Sequence, residues 1–161
     1  MLQYHVKNRP DRELFSPEEI NAILKKGKFA VISMCHDNVP YIVTLSYGYD
    51  PEENALYFHA APSGLKLDFL RSNSNVCATV IEDGGYNLED CSHNYKTVVF
   101  WGMMHIVEDI QEKKHGMSIL LNHLEEKPTY IQEKSLKADG YYTKMTILKL
   151  EIGQIHGKAG K

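Results

Sequence analysis

The chain has 161 residues, 43% of them hydrophobic and 24% charged, and a net charge of −3. This is the size of one soluble domain with a core of its own. A slight acidic excess without a local basic patch offers nothing to a nucleic acid or an anionic lipid, so neither is an expected partner.

The first twelve residues hold no apolar stretch of leader length. No later run approaches the ~18 apolar residues of a membrane span, so a cytoplasmic location is expected. The first element is a helix announced by Ser16-Pro17-Glu18-Glu19: a capping serine, proline at the first helical position and glutamate three residues after the cap. Its apolar face is Ile20, Ile23 and Leu24, and Gly27 ends it. Residues 29–35 then read as a strand, His36-Asp37-Asn38 as a turn and residues 40–49 as the returning strand. A second turn over residues 50–54 leads into a third strand at residues 55–59.

Residues 76–81 and 97–107, β-branched and aromatic, are two further strands. The polar stretch between them, residues 82–96 with Gly84-Gly85 and Asn87, exceeds what a hairpin turn needs and reads as a long loop. A helix from Asp109 through Met117, Leu120, Leu121 and Leu124 follows, then a short one from Pro128 and a last strand over residues 145–152. His115, His123, Lys113 and Lys114 read as the solvated face of the long helix. No repeat, low-complexity tract or linker divides the chain, so residues 1–161 are expected to form a single domain. Antiparallel strands with inserted helices point to a closed or partly closed β-barrel in an α+β domain.

Between the third strand and the next lies Leu56-Tyr57-Phe58-His59-Ala60-Ala61-Pro62-Ser63-Gly64-Leu65-Lys66-Leu67-Asp68-Phe69-Leu70. A strand breaks through small residues into a helix whose first turn carries Gly64 and Lys66. Helix N-termini present unpaired N–H groups and the positive end of a dipole, and a lysine adds a point charge. That favours an anion such as phosphate, although an ordinary strand-to-helix connection with a surface lysine has the same composition.

Other chemistry has less support. Cys35, Cys77 and Cys91 are an odd set that fits no disulfide framework, in keeping with a reducing compartment. Cys35 and Cys77 read as core. Cys91-Ser92-His93 lacks the paired spacing of a zinc site, and no metal is expected. A nucleophile elbow of the G-x-S-x-G kind is absent from the sequence. Trp101, Met103 and Met104 read as barrel packing or subunit contacts.

Three segments, in this order, resemble the FMN-binding split barrels related to pyridoxamine 5′-phosphate oxidase, and among them the nitroimidazole-resistance branch. Pro40-Tyr41-Ile42-Val43-Thr44-Leu45-Ser46-Tyr47-Gly48-Tyr49 is similar to the strand under the flavin ring. The segment from Leu56 to Ala61, with Gly64 and Lys66, is similar to the phosphate-binding strand, loop and helix. Tyr95-Lys96-Thr97-Val98-Val99-Phe100-Trp101-Gly102 is similar to the strand that reaches the phosphate and ribityl chain from the other side, and Ile155-His156-Gly157-Lys158 is close to the usual ending.

The resemblance implies an α+β fold built on a mainly antiparallel Greek-key barrel of about six strands with peripheral helices. It implies FMN held by Val43, Thr44, Leu45, Tyr47, His59, Ala60, Ala61, Gly64, Leu65, Lys66, Lys96 and Thr97, with His59 as the catalytic candidate. It further implies a homodimer with FMN at the subunit interface. The activity implied is an FMN-dependent oxidoreductase taking electrons from NAD(P)H or another small donor and passing them to a small acceptor such as a nitroaromatic 5-nitroimidazole. His59 also admits the reading of a core histidine bonded to a backbone carbonyl. Leu65 stands where pyridoxamine phosphate oxidases carry an arginine, and their C-terminal tryptophan and arginine pair has no counterpart within these residues, which points away from that particular oxidation. Two alternatives stand beside it: a flavin-binding protein without turnover, and a haem-binding split barrel using His59, His105 or His156 as axial ligand.

Overall fold

The computed structural model describes residues 9–14 and 16–160; the opening segment read above for a leader lies largely outside them. After a 3-10 turn (Pro10–Arg12) come β1 (Glu13–Leu14), α1 (Pro17–Lys26), β2 (Phe29–His36), β3 (Val39–Ser46), β4 (Gly48–Asp50) and β5 (Ala55–Ala60). The remainder is α2 (Leu65–Ser72), β6 (Asn75–Asn87), β7 (Ser92–Ile106), α3 (Ile110–Leu124), α4 (Pro128–Ser135), α5 (Asp139–Lys144) and β8 (Thr146–Gly160). The expected α+β class holds, with eight strands in place of about six. No helix among the described residues is long and apolar enough to cross a membrane.

The strands form one antiparallel sheet in the order β3-β2-β6-β7-β8-β5-β4, with β1 paired to β8. Its two ends, β3 and β4, are consecutive in the chain, so the sheet closes on itself through the single residue Tyr47. Inside it lie Ala30, Ile32 and Met34 of β2, Phe58 of β5, Val98, Phe100 and Met104 of β7, and Leu148 and Leu150 of β8. Helix α1 begins as its sequence predicts, the Ser16 hydroxyl accepting the Glu19 N–H at 3.4 Å, and adds Ile23 and Leu24 to that interior. Helix α2 adds Leu67, Phe69 and Leu70. Each such side chain contributes about 1.5–3 kcal/mol by leaving water.

Residues 40–49 do not form one strand. Through β3 the side chains alternate between exposed and half-buried, but Tyr47, Gly48, Tyr49 and Asp50 are all buried. The change marks where α3 covers the outer face. There β4 leaves the line of β3 and pairs with β5, Gly48 opposite Tyr57. Gly48 is required by this contact: a Cβ there would lie 2.6 Å from the Leu120 backbone nitrogen and 2.7 Å from the Ile119 carbonyl carbon.

Residues 82–96 are a β-hairpin arm and not a loop. The β6–β7 ladder continues through Glu82↔Lys96 and, past a bulge at Gly84-Gly85, to Tyr86↔His93. The arm runs beyond the barrel, so its side chains face water. Its polar composition reflects that exposure.

The long helix also departs from expectation, because His115 and His123 do not both belong to a solvated face. His115 Nε2 lies 2.6 Å from Oδ2 of the buried Asp50. His123 is half-buried, with Nε2 2.6 Å from the Gly27 carbonyl oxygen. Beside them, the Tyr57 hydroxyl sits between the carboxylates of Glu53 (2.6 Å) and Glu112 (2.5 Å), which also bind Lys149 Nζ at 2.5 and 2.8 Å. Cys35 is exposed rather than core, and Cys77 is half-buried on the outer face.

Replacement of Gly48 by alanine is expected to cost about 2–4 kcal/mol, since neither backbone can yield by flexing a side chain. Urea unfolding monitored by tryptophan fluorescence measures it, and a loss within experimental error of zero would contradict the packing of α3 on β4.

Candidate functional site

The parting of β3 from β4 leaves a gap in the barrel wall. One edge of β3 is paired along its length with β2. One edge of β5 is paired along its length with β8, while its other edge meets β4 only from Ala55 to Tyr57. Beyond those residues, Ser46 and the strand before it stand apart from Phe58, His59 and Ala60, and the facing backbone groups have no ladder partner. Unpaired strand edges hold donors and acceptors ready for a ligand.

A groove of about 360 Å³ fills this gap, lined by Thr44, Leu45, Ser46 and His59 on the strand side. The opposite wall is the C-terminal half of α3, with Met117, Leu120, Leu121, Leu124 and Glu125. His59 lies two residues after Tyr57, on the same face of β5. Tyr57 is wholly buried under α3, whereas His59, at the end of that cover, is exposed. The groove therefore pairs an apolar wall with a polar strand edge and an imidazole, a combination suited to a flat molecule with a hydrogen-bonding rim.

From His59 the chain passes through Ala60 and Ala61 to the start of α2. Its N-cap is Gly64, at φ 136°, a backbone conformation that favours glycine, and no side chain caps the helix. A Cβ at Gly64 would meet nothing within 4 Å. The Leu67 and Asp68 N–H groups bond the Gly64 carbonyl oxygen at 2.9 and 3.4 Å, which leaves those of Leu65 and Lys66 without a partner in the helix. The ion pair on this helix joins Asp68 to Arg71 at 3.1 Å and leaves Lys66 aside.

The structure brings Thr44, Leu45 and His59 to one groove and places Ala60, Ala61, Gly64, Leu65 and Lys66 immediately after it. Val43 points inward and packs against the core. Tyr47 is a correction to the expected contacts: it is fully buried, and its hydroxyl donates to the Leu24 carbonyl at 2.7 Å. Burial, with Tyr49 nearby, raises its pKa, so the phenol stays protonated and its single donor is spent on Leu24. Lys96 and Thr97 are on β7, several strands around the barrel. Lys96 faces Glu19 at 3.6 Å in a separate cavity of about 440 Å³ shared with Arg9, Arg12 and Glu13. Thr97 bonds Thr79 at 2.9 Å and the Val80 carbonyl at 3.1 Å. His105 and His156 do not line the groove; His156 sits by Gln154 at 2.7 Å and Trp101.

Two features were missed in the sequence. Ser46 lines the groove, and the apolar side of α3 forms its far wall; the alternation of β3 could have revealed the first, but the second depends on how the helix docks. Asp50, Glu53 and His115 also bring ligand atoms within 4.8 Å of one another. They are committed to the protein: Asp50 accepts the Glu52 and Glu53 N–H groups as well as His115, and Glu53 is neutralised by Lys149. Burial pushes the Asp50 pKa up, but the bonds from His115 and the two N–H groups outweigh it, leaving a carboxylate below its usual range.

The sequence profile of the family described as pyridoxamine 5′-phosphate oxidase matches residues 16–159. Among curated proteins, the chain is 29% identical over 124 residues to the uncharacterized protein RA0666 of Rhizobium meliloti, covering 77% of this chain and 76% of that one. In solved structures its fold is similar to a putative 5-nitroimidazole antibiotic resistance protein of Bacteroides thetaiotaomicron, with a TM-score of 0.76 at 23% identity over 92% of this chain and 86% of that one. It is also similar to the flavocytochrome Anf3 of Azotobacter vinelandii, TM-score 0.81, 18% identity, covering 96% and 72%. A FAD-binding protein of Mesorhizobium loti shares the fold at TM-score 0.66 and 21% identity, covering 93% and 98%.

Tyr47→Phe is expected to lower stability by about 1–2 kcal/mol, by leaving the Leu24 carbonyl without its donor, while the groove keeps its shape. Parallel urea denaturation and ligand titration check this; weakened ligand binding at unchanged stability would place Tyr47 in the site after all.

Proposed function

The chain belongs to the pyridoxamine 5′-phosphate oxidase family, and we propose that it is a flavin-dependent oxidoreductase that carries FMN in the split between β3 and β5. The observation that supports this most is the groove beside His59, from which the chain leads through Ala60 and Ala61 to the uncapped start of α2. The groove suits a planar ring and the helix start a phosphate. The unbonded N–H groups of α2, the dipole behind them and Lys66 match the charge of a phosphate group. The free edge of β3 at Thr44, Leu45 and Ser46 matches the donor and acceptor rim of an isoalloxazine.

In this reading the second cationic contact comes from a twin subunit. The outer faces of β2, β3, β6 and β7 carry Phe29, Ile42, Ile81 and Met103, each more than half exposed. An apolar area of that kind favours a cover, and a homodimer across it would bring Lys96 and Thr97 of one protomer toward the phosphate held by its partner. The solved structures of similar fold that are named as a flavocytochrome, a FAD-binding protein and a nitroimidazole resistance protein support a redox role.

A bound flavin supplies the electron transfer, taken from NAD(P)H or another small donor and passed to a small acceptor, nitroaromatics included. The protein positions the ring and keeps water from one side of it with Met117, Leu121 and Leu124. His59 is the imidazole within reach of a molecule in the groove, placed to hold or deliver a proton at the acceptor.

FMN added to the purified protein is expected to bind with quenched flavin fluorescence. Lys66→Ala is expected to weaken binding by about tenfold or more, while His59→Gln lowers the rate of acceptor reduction and leaves binding nearly intact. Fluorescence titration and anaerobic stopped-flow reduction measure the two effects. A protein that takes up no flavin would end the proposal.

A further inference from the structure

Helix α3 is fastened to β4 at three points. In the middle, Gly48 lets the helix backbone come down on the strand at Ile119 and Leu120. Toward the N-terminal side, His115 meets Asp50. Toward the C-terminal side, His123 reaches the Gly27 carbonyl through Nε2 at 2.6 Å and accepts the Tyr49 N–H at Nδ1 at 3.4 Å.

The two histidine contacts answer a proton differently. Asp50 is an acceptor, so His115 donates to it whether the imidazole is neutral or charged. His123 must donate from Nε2 and accept at Nδ1, which only the neutral ring does. A proton on Nδ1 would face the Tyr49 N–H, donor against donor, in a half-buried place. The other titratable or charged groups around it give no anion to compensate. Lys28 donates from Nζ to the carbonyl oxygen of His123 itself at 2.7 Å. Tyr47 lies with its ring 5.0 Å from the imidazole, and Tyr49 directs its hydroxyl to Asn21 at 2.8 Å.

We propose that His123 is a positioning residue that acts as a proton-operated latch: neutral, it holds the last turns of α3 as the wall of the groove, and protonated, it frees them to swing about the Gly48 contact. The residues that would move are those that line the groove beyond the pivot, Leu121, Leu124 and Glu125. Regulation of flavin or substrate access by this latch rests on the reading of the groove as the flavin site; the latch itself does not. Burial, together with Lys28 and against the Gly27 bond, lowers the His123 pKa from 6.5. The sign follows from that direction. The folded state binds fewer protons here than the unfolded chain, so the contact contributes fully above 6.5 and is lost as pH falls through the lowered value.

Hydrogen exchange of the full chain without flavin, compared at about pH 7.5 and about pH 5, tests the latch when expressed as protection factors. The expected result is a loss of about tenfold or more in protection from Leu121 to Glu125, with Ile110 to Gly116 unchanged. His123→Gln, which keeps a donor and an acceptor but does not titrate, is expected to remove the pH dependence. Should that variant fold poorly, histidine ring NMR of the unaltered chain decides the matter, because release must follow the titration of His123. Equal loss along the whole helix, no loss, or the same loss in His123→Gln would overturn the latch. FMN titrations at both pH values separate the two claims. Release of α3 without flavin binding at either pH defeats the flavin reading and leaves the latch, whereas FMN bound equally at both defeats control of the groove.

Discussion

The architecture depends on one residue changing its allegiance. Up to Ser46 the chain is a partner of β2, and the backbone N–H of Tyr47 still bonds the Lys28 carbonyl at 3.3 Å. From Gly48 it is a partner of β5. The Tyr47 side chain anchors that change in the interior, with its hydroxyl on Leu24 of α1 and its ring beside Phe58 and His123. A residue pinned this firmly can close the barrel without a continuous ladder, and the missing rungs become the groove. The strand edges are thus left unpaired where they remain in contact with solvent.

Helix α3 serves stability and site geometry together. Its inner side packs Leu120 with Ala55, Tyr57, Val107 and Ile147 in a second core outside the barrel. The Glu53, Tyr57, Glu112 and Lys149 group fixes the same helix by polar bonds. The carboxylates are held below their ordinary range, chiefly by Lys149 and then Tyr57. Their contribution is full above the usual carboxylate value of 4.5 and is lost as pH falls through the lowered values. The same helix then runs on to form the apolar wall beside His59, so its docking sets the width of the groove.

Much of this was legible in local patterns. Ser16-Pro17 with Glu19 marked α1, alternating residues marked β2 and β6, and the small residues between His59 and Leu65 marked the strand-to-helix passage. What escaped was decided by tertiary cover. The β6–β7 arm looked like a loop because it has no core to face. The break at Tyr47 was hidden because β3 and β4 share one run of strand-forming residues and differ only in what lies on top. His115 and His123 looked like surface residues until β4 was placed beneath them. Of the residues the resemblance named, Thr44, Leu45 and His59 line one groove and Lys66 follows on the next helix, whereas Lys96 and Thr97 belong to a distant strand.

The most direct test is a crystal structure of the protein soaked or grown with FMN. The account predicts ring density between β3 and β5, beside His59 and under Leu121 and Leu124, with phosphate on the N–H groups of Leu65 and Lys66. FMN found in another cavity, such as that of Lys96, Arg9 and Arg12, with the β3–β5 groove empty, would contradict it.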